Sequence, residues 1–526
     1  MPTPPAANPS PLISPPAATP SWYPRYALSV LVLVYVLNFL DRQILSILNE
    51  HIKADLQLDD AQMGFLFGTA FAVFYALFGI PLGRVADVWV RRSLIALGLA
   101  FWSGMTMLSG FAQNFSHLAL ARIGVGIGEA SASPAAYSLL SDWFPPRRRA
   151  TVMAIYSSGI YIGAGCGLMI GGQIVDRWDA MYAASAAPWG LRGWQAAFLA
   201  VGAPGVALAA WVATLREPPR AGVAANSNAP TRSVAGEFLH ELRAVLPPLT
   251  LWTIIREGGA ASGTRNAVAA VGVSLVAWIL AWATGDRAQW AALALGTYAT
   301  FSWMQSLRLR QPEAAEVILD TATLRWASLA FGFLSFSGYS IGYWAAPYFM
   351  REHGVAASEV GWVVGGVSAV AGWLGVTAGG ALADAWRERS IRGRLYTGML
   401  TATLTPPLLA LLLAAPSTTW AFVVNAPLVF VSSTWIGAGI ATVHDLVPAR
   451  LRGTAGAAYL LLITFIGLAL GPYTVGKLSV VFGSLGSALL AGAVIGDGLA
   501  LVFLMLAARA LPADQETAER RAHAAT

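Results

Sequence analysis

Four charged side chains interrupt long apolar stretches of this sequence. Asp41 and Arg42 stand in Asn38-Phe39-Leu40-Asp41-Arg42-Gln43, and Arg122 and Glu129 in the glycine-rich run 118–134. Seven residues separate Arg122 from Glu129, so on an α-helix they return to nearly the same face, about 10 Å apart along the axis. An ionisable group inside a bilayer costs about 3 kcal/mol or more, and is seldom placed there without a partner or a task. Asp41 and Arg42 are neighbours and point about 100° apart on a helix. The economical arrangement turns Asp41 toward Arg122 across two helices and leaves Arg42 facing a cavity. Glu129, among Gly124, Gly126 and Gly128, is then the expected proton carrier, with Asp41 and Arg122 as its coupling partners. A carboxylate that trades a proton for an arginine partner can couple proton movement to a bistable gate. Arg42, Arg122 and Asn38 are also expected to meet an anionic group, because the guanidinium fork suits phosphate or carboxylate. Static pairing of Asp41 with Arg42 or Arg122 is the alternative, since structural ion pairs occupy such sites too.

These groups require a membrane around them. Of 526 residues, 56% are hydrophobic and 11% charged, the balance of a polytopic membrane protein and not of a soluble enzyme. The net charge of +6 arises largely from arginines in short loops beside apolar runs, which argues against a nucleic-acid partner. One cysteine, Cys166, excludes an internal disulfide, and six scattered histidines show no metal-ligand spacing. No catalytic constellation and no cofactor motif is visible. Gly471 to Leu478 approaches a phosphate-binding loop, but Leu478 stands where Ser or Thr is required. Lys477 is expected to snorkel outward. Asp497, in the last span, has no explanation from sequence.

Residues 1–24, rich in Pro, Ala and Ser, form an expected disordered tail. Six apolar spans fill 25–216, at about 26–48, 61–86, 94–112, 118–144, 150–175 and 194–215. Residues 217–324 hold a polar linker to Pro230, then an amphipathic helix over 234–246 expected to lie on the membrane surface. Two further apolar runs follow, 267–284 and 288–307, each just able to cross about 30 Å of hydrocarbon. A single re-entrant hairpin is the alternative for that pair. Six more spans fill 325–508, at about 325–349, 360–385, 395–415, 420–447, 455–482 and 485–508, before a charged tail at 509–526. The expected fold is all-α, with two six-helix bundles and two extra central helices, about fourteen spans in all. Gly159, Gly163, Gly167 and Gly171 mark one helix face as a close-packing seam.

Internal repetition shows that the bundles are copies. Asp142 to Tyr156 aligns without gaps to Asp445 to Tyr459, with seven of fifteen positions identical at an offset of 303. Gly83-x-x-x-Asp87 recurs as Gly380-x-x-x-Asp384. Duplicated bundles facing each other are a transporter architecture in which a central cavity opens alternately to the two sides. The loops after core spans 2, 4, 8 and 10 and their edges hold twelve arginines, against five basic residues on the other side. That bias puts both termini in the cytoplasm, as in a multi-pass protein of a bacterial inner membrane.

The run Gly83-Arg84-Val85-Ala86-Asp87-Val88-Trp89-Val90-Arg91-Arg92 resembles the cytoplasmic signature of the major facilitator superfamily, with Val90 where glycine is usual. The resemblance implies that Asp87 and Arg91 lock a cytoplasmic gate, with Asp87 accepting from Arg91. It extends the gate to Gly83, Asp142 and Arg147, and in the second half to Asp384, Asp445 and Arg450; Glu388 occupies the place of an expected arginine there. Within that superfamily, Leu37 to Arg42, Gln62-Met63-Gly64, Gly126 to Ser131 and Asp142 to Pro145 resemble the spinster group of lysolipid and sphingolipid transporters. The resemblance implies a monomeric secondary transporter, not an enzyme, whose partners are an amphiphilic small-molecule substrate, protons and the membrane lipids. Tyr339, Tyr343, Trp344 and Trp435 are the expected aromatic lining of an amphiphile cavity, with plain helix packing as the alternative. Uptake of a small organic anion with protons is the second reading.

Overall fold

The computed structural model describes residues 22–218, 233–246 and 249–524. The expected N-terminal tail and most of the polar linker to Pro230 lie outside them. Among the described residues there is no strand. The first half comprises α1 (Tyr23–Ile47), the short α2 (Asn49–Leu56), α3 (Asp60–Val88) and α4 (Arg91–Ser109). It continues with α5 (Phe115–Glu129), α6 (Ala132–Trp143), α7 (Arg147–Met181) and α8 (Gly193–Ala213). The centre contributes α9 (Val234–Val245), α10 (Leu249–Thr284) and α11 (Arg287–Arg310). The second half runs through α12 (Ala322–His353), α13 (Ala357–Arg389), α14 (Gly393–Leu413), α15 (Thr418–Leu446), α16 (Arg452–Phe482) and α17 (Leu485–Ala524).

Ten of these helices are long and apolar enough to cross a bilayer, and a bent pair, Pro312–Asp320 with Ala322–His353, raises the number to eleven. The expected fourteen also needs α4, α11 and the tandem α5–α6. Each falls short for a local reason: α4 opens on Arg91 and Arg92, α11 carries charges at both ends, and the tandem is broken at Ala130 and Ser131. The inserted α10 and α11 are two long antiparallel helices and not a short re-entrant loop. The amphipathic helix forms as α9, with Ser233 accepting from the Gly236 amide at its start. It packs on α3 through Phe238 against Phe78 and brings Glu241 to 3.8 Å from Arg84.

The duplication is visible in local chemistry. The α5 N-terminus is capped by Asn114, which accepts from the His117 amide, and the α15 N-terminus by Ser417, which accepts from Trp420. These caps are one repeat offset apart.

The glycine stripe of α7 packs on α1, where a Cβ at Gly163 would strike the Val36 carbonyl. A different face of the same helix meets α13 of the other half. There Gly165 opposes Gly365, and Gly172 lies against the Ala357 carbonyl. The start of α3 and the end of α16 also touch across the halves, with Gly64 on the backbone of Pro472 and Tyr473. All three contacts lie from mid-depth toward the end where α2 meets α3 and α12 meets α13, here the far end. The linker end is the opposite one, which carries α9 and the arginine-rich loops.

Ionic contacts close the far end as well. Arg351, at the end of α12, donates to Asp60 at 2.8 Å and to Glu50 at 2.6 Å, both in the first half. Lys53 and Ser479 complete the ring on Asp60, at 2.6 and 2.7 Å.

Candidate functional site

The four charges of the sequence meet inside the first half, with partners different from those expected. Arg42 is partly buried and held by a carboxylate. Its Nε donates to Glu129 Oε2 at 2.6 Å, and its guanidinium lies 4.4 Å from the Phe71 ring, 4.8 Å from Phe39 and 4.9 Å from Tyr75. Three rings around one cation favour the charge by about 0.5–2 kcal/mol per face where water is excluded. Asp41 does not form an ion pair with Arg122 among the described residues. Arg122 reaches Asp41 through the backbone only, donating from Nη1 to its carbonyl at 3.3 Å. The physical reason is helix phase: the side that brings Arg42 to α5 carries the Asp41 carboxyl round toward α4, beside Trp102 and Thr106.

Small residues let these helices come close enough to dry the site. Gly126 backs onto the Phe71 carbonyl and Gly128 onto Trp102. Arg122, Glu129, Asp41 and Asn38 are all buried. Several polar atoms there have no hydrogen-bond partner: Asn38 Oδ1, Asp41 Oδ1, Glu129 Oε1, Arg122 Nε and Nη2, Trp102 Nε1 and Thr106 Oγ1. Each buried orphan costs about 1–3 kcal/mol. Two guanidinium groups and two carboxylates balance in formal charge, so one added proton leaves the dry site a net cation.

The aromatic residues divide. Tyr339 is partly buried on α12, whereas Tyr343 and Trp344 are wholly buried and take part in far-end closure. Tyr343 stacks on Phe67 of the other half at 4.1 Å, accepts from Asn49 at 2.7 Å and donates to the Met63 carbonyl. Trp344 donates to the Pro472 carbonyl at 2.9 Å. Trp435 stacks on Phe331 in the core of the second half. In this conformation none of these three lines an open cavity, because helix contacts consume their faces.

At the linker end the expected Asp87–Arg91 contact is replaced by two others. Asp87 is exposed and accepts from Arg84 at 3.3 Å. Arg91 is buried and donates to Asp142 at 2.5 Å, Glu217 at 2.7 Å and Ser138 at 3.0 Å. Glu217 also accepts from the Arg91 and Arg92 amides, which places a carboxylate on the α4 N-terminus. Gly83 lies near Pro134, and Arg147 is exposed.

In the second half Arg394 takes the corresponding role, contacting Asp445 and, at 3.4 Å, Asp384, while Arg387 lies 3.5 Å from Asp445. Arg450 instead pairs with Glu313 at 2.8 Å. Sequence reasoning missed Arg394, although it lies one repeat offset, 303 residues, beyond Arg91. Lys477 turns to the inserted hairpin. It pairs with Asp286 at the tip of the inserted hairpin, 2.8 Å away, and Tyr473 donates to the same carboxylate. Asp497 is buried beside Ser337, with neither carboxylate oxygen partnered.

Comparison with known proteins decides the family, since the Major Facilitator Superfamily description matches residues 31–472. The chain belongs to the Major Facilitator Superfamily. Solved structures of a bacterial homolog to the human lysosomal transporter Spinster superpose on this facilitator fold, in an inward-facing and unoccupied conformation with a TM-score of 0.66. They share 26% identity and cover 95% of this chain and 98% of that one. An MFS-type efflux pump of Mycolicibacterium smegmatis is 29% identical over 462 residues, 86% of this chain and 84% of its own. Human spinster homolog 1 is 30% identical over 271 residues, 51% of this chain and 45% of its own. As a facilitator the protein is a multi-pass membrane transporter with the two-bundle architecture, and it resembles the spinster group.

Proposed function

We propose that this facilitator is a proton-coupled secondary transporter for an amphiphilic anionic or zwitterionic lipid of the lysophospholipid or sphingoid type, working by alternating access. The observation that carries the reading is the Arg42–Glu129 pair held among Phe39, Phe71 and Tyr75. A guanidinium on an aromatic bed offers a phosphate or carboxylate a fork and offers a chain an apolar wall. Protonation of Glu129 would release Arg42 to such a headgroup, and Asp41 and Arg122 form the adjoining charge store. The far-end closure supports a state open at the linker end, and the arginine bias supports a cytoplasmic linker end, with both termini inside a bacterial inner membrane. Likeness to the spinster homologs supports the lipid class.

A small organic anion is the second reading. It is favoured by a probable galactarate/D-glucarate transporter of Bacillus subtilis, 31% identical over 36% of this chain. Proteoliposomes with an imposed pH gradient separate the two. Labelled lysophospholipid should accumulate with the gradient and resist competition by soluble sugar acids. Accumulation of the sugar acid alone transfers the site to the second reading.

A further inference from the structure

The inserted hairpin and the second half enclose a cleft of about 580 Å³ that the transport reading leaves unused. Its walls come from α10 and α11 on one side, and from α12, α15, α16 and the segment before α12 on the other. No lining residue belongs to the first half. Cargo carried by alternating access must exchange contacts between both halves, so a molecule seated here stays with one of them.

The cleft has a charged rim and an apolar body. Arg265, Arg308 and Arg325 line it at the linker end. Arg308 is engaged by Asp320 at 2.9 Å, whereas neither Arg265 nor Arg325 has a carboxylate partner among the described residues. Phe301, Leu329 and Leu461 line the deeper part, and Phe301 lies about 10 Å below Arg308 along α11.

The hairpin wall is fixed internally. Asn266 donates to Ser302 at 2.9 Å and to Gln305 at 3.0 Å, and Tyr298 donates to Asn266 at 2.6 Å. Basic pockets between membrane helices at the interface depth recognise acidic headgroups, with the chains continuing into hydrocarbon.

We propose that this cleft holds a resident anionic phospholipid from the leaflet at the linker end. Its phosphate is met by Arg265 and Arg325, and its acyl chains lie along Phe301, Leu329 and Leu461. Two uncompensated arginines at the rim select for net negative charge; a zwitterionic headgroup brings its own cation against them.

The test uses the purified full-length protein, delipidated in neutral detergent and titrated with phosphatidylglycerol or phosphatidylcholine under native mass spectrometry. Phosphatidylglycerol should be retained about tenfold better. The double substitution Arg265→Gln with Arg325→Gln should reduce it to the phosphatidylcholine level and leave the Arg308–Asp320 pair in place. The corresponding lysine double variant should restore the preference. Ala458→Trp, which fills the cleft without changing charge, should exclude both lipids. Equal retention of the two lipids by the unaltered protein overturns the proposal, as does a full preference in the glutamine variant. Protein-dependent translocation of fluorescent phosphatidylglycerol, blocked by Ala458→Trp, would make the molecule cargo and also overturn it.

Discussion

In the first half, the arginine that opens α4 is sealed beneath Glu217 with 1% of its side chain exposed. In the second, the matching arginine that opens α14 is 19% exposed and shares Asp445 with Arg387. The contrast deepens toward the membrane centre. One repeat offset from Arg122 stands Asn425, and one offset from Glu129 stands Ser432. Asn425 is buried with both amide atoms unpartnered, and Ser432 bonds only to its own helix, at Val429. The same scaffold therefore carries charge in one copy and neutral polar groups in the other. Duplication fixed the helix positions and clamp geometry, while at these two matched positions the ionisable groups stand only in the copy that packs them with glycines.

The sharpest test of that contrast is the matched pair Glu129→Gln and Ser432→Ala. Under the proposed coupling, Glu129→Gln should lower the response of transport to an imposed pH gradient by tenfold or more, taking about 10²-fold as the effect of a lost proton-transfer group. Ser432→Ala should stay within about twofold, since a hydroxyl bonded to its own helix backbone contributes little. An undiminished gradient response in Glu129→Gln proteoliposomes moves the coupling site to Asp41 or Asp497.

The clamps give the next largest difference. Arg91→Ala removes the buried guanidinium that ties Asp142 to Glu217 and should cost about 3 kcal/mol. Arg394→Ala leaves Arg387 beside a more exposed Asp445 and should cost about 1 kcal/mol or less. Thermal unfolding of the two variants in the same detergent measures this directly. Equal losses would mean that the halves are clamped alike.

The smallest stability effect belongs to Asp87→Asn. Its pairing with Arg84 is exposed, so stability should change by less than about 0.5 kcal/mol. Distances between spin labels on the two halves should nevertheless shift toward the linker-end-open population, because the substitution removes the carboxylate that the closed gate would use. An unchanged distribution takes Asp87 out of the gate.

Much of this was legible before any coordinates. Long apolar runs announce spans because unpaired backbone cannot face lipid, and the gapless repeat around Asp142 and Asp445 located equivalent helices to the residue. Which side chains pair inside was less legible. Asp41 and Arg42 are one residue apart, so turning α1 by about 100° exchanges their partners, and no pattern in one helix states its phase against another. Tyr343 and Trp344 have the composition of cavity lining and of a closed seam alike, and only the conformational state separates the two. Arg394 was concealed by a change of offset between the second and third spans of each half. Glycine at 83 repeats after 297 residues, whereas arginine at 91 repeats after 303.

The inserted hairpin gives the molecule a sidedness that its duplication alone would not. Residues of α3, α9, α11 and α16 form one apolar cluster, with Phe465 pressed on Gly296, and the hairpin tip is bonded to α16 through Asp286, Lys477 and Tyr473. One flank of the bundle is thus shuttered along the α3–α16 cleft, while the opposite flank, along α7 and α13, has no such cover among the described residues. A guest arriving sideways from the bilayer would meet the hairpin on one flank and the glycine-packed α7–α13 seam on the other.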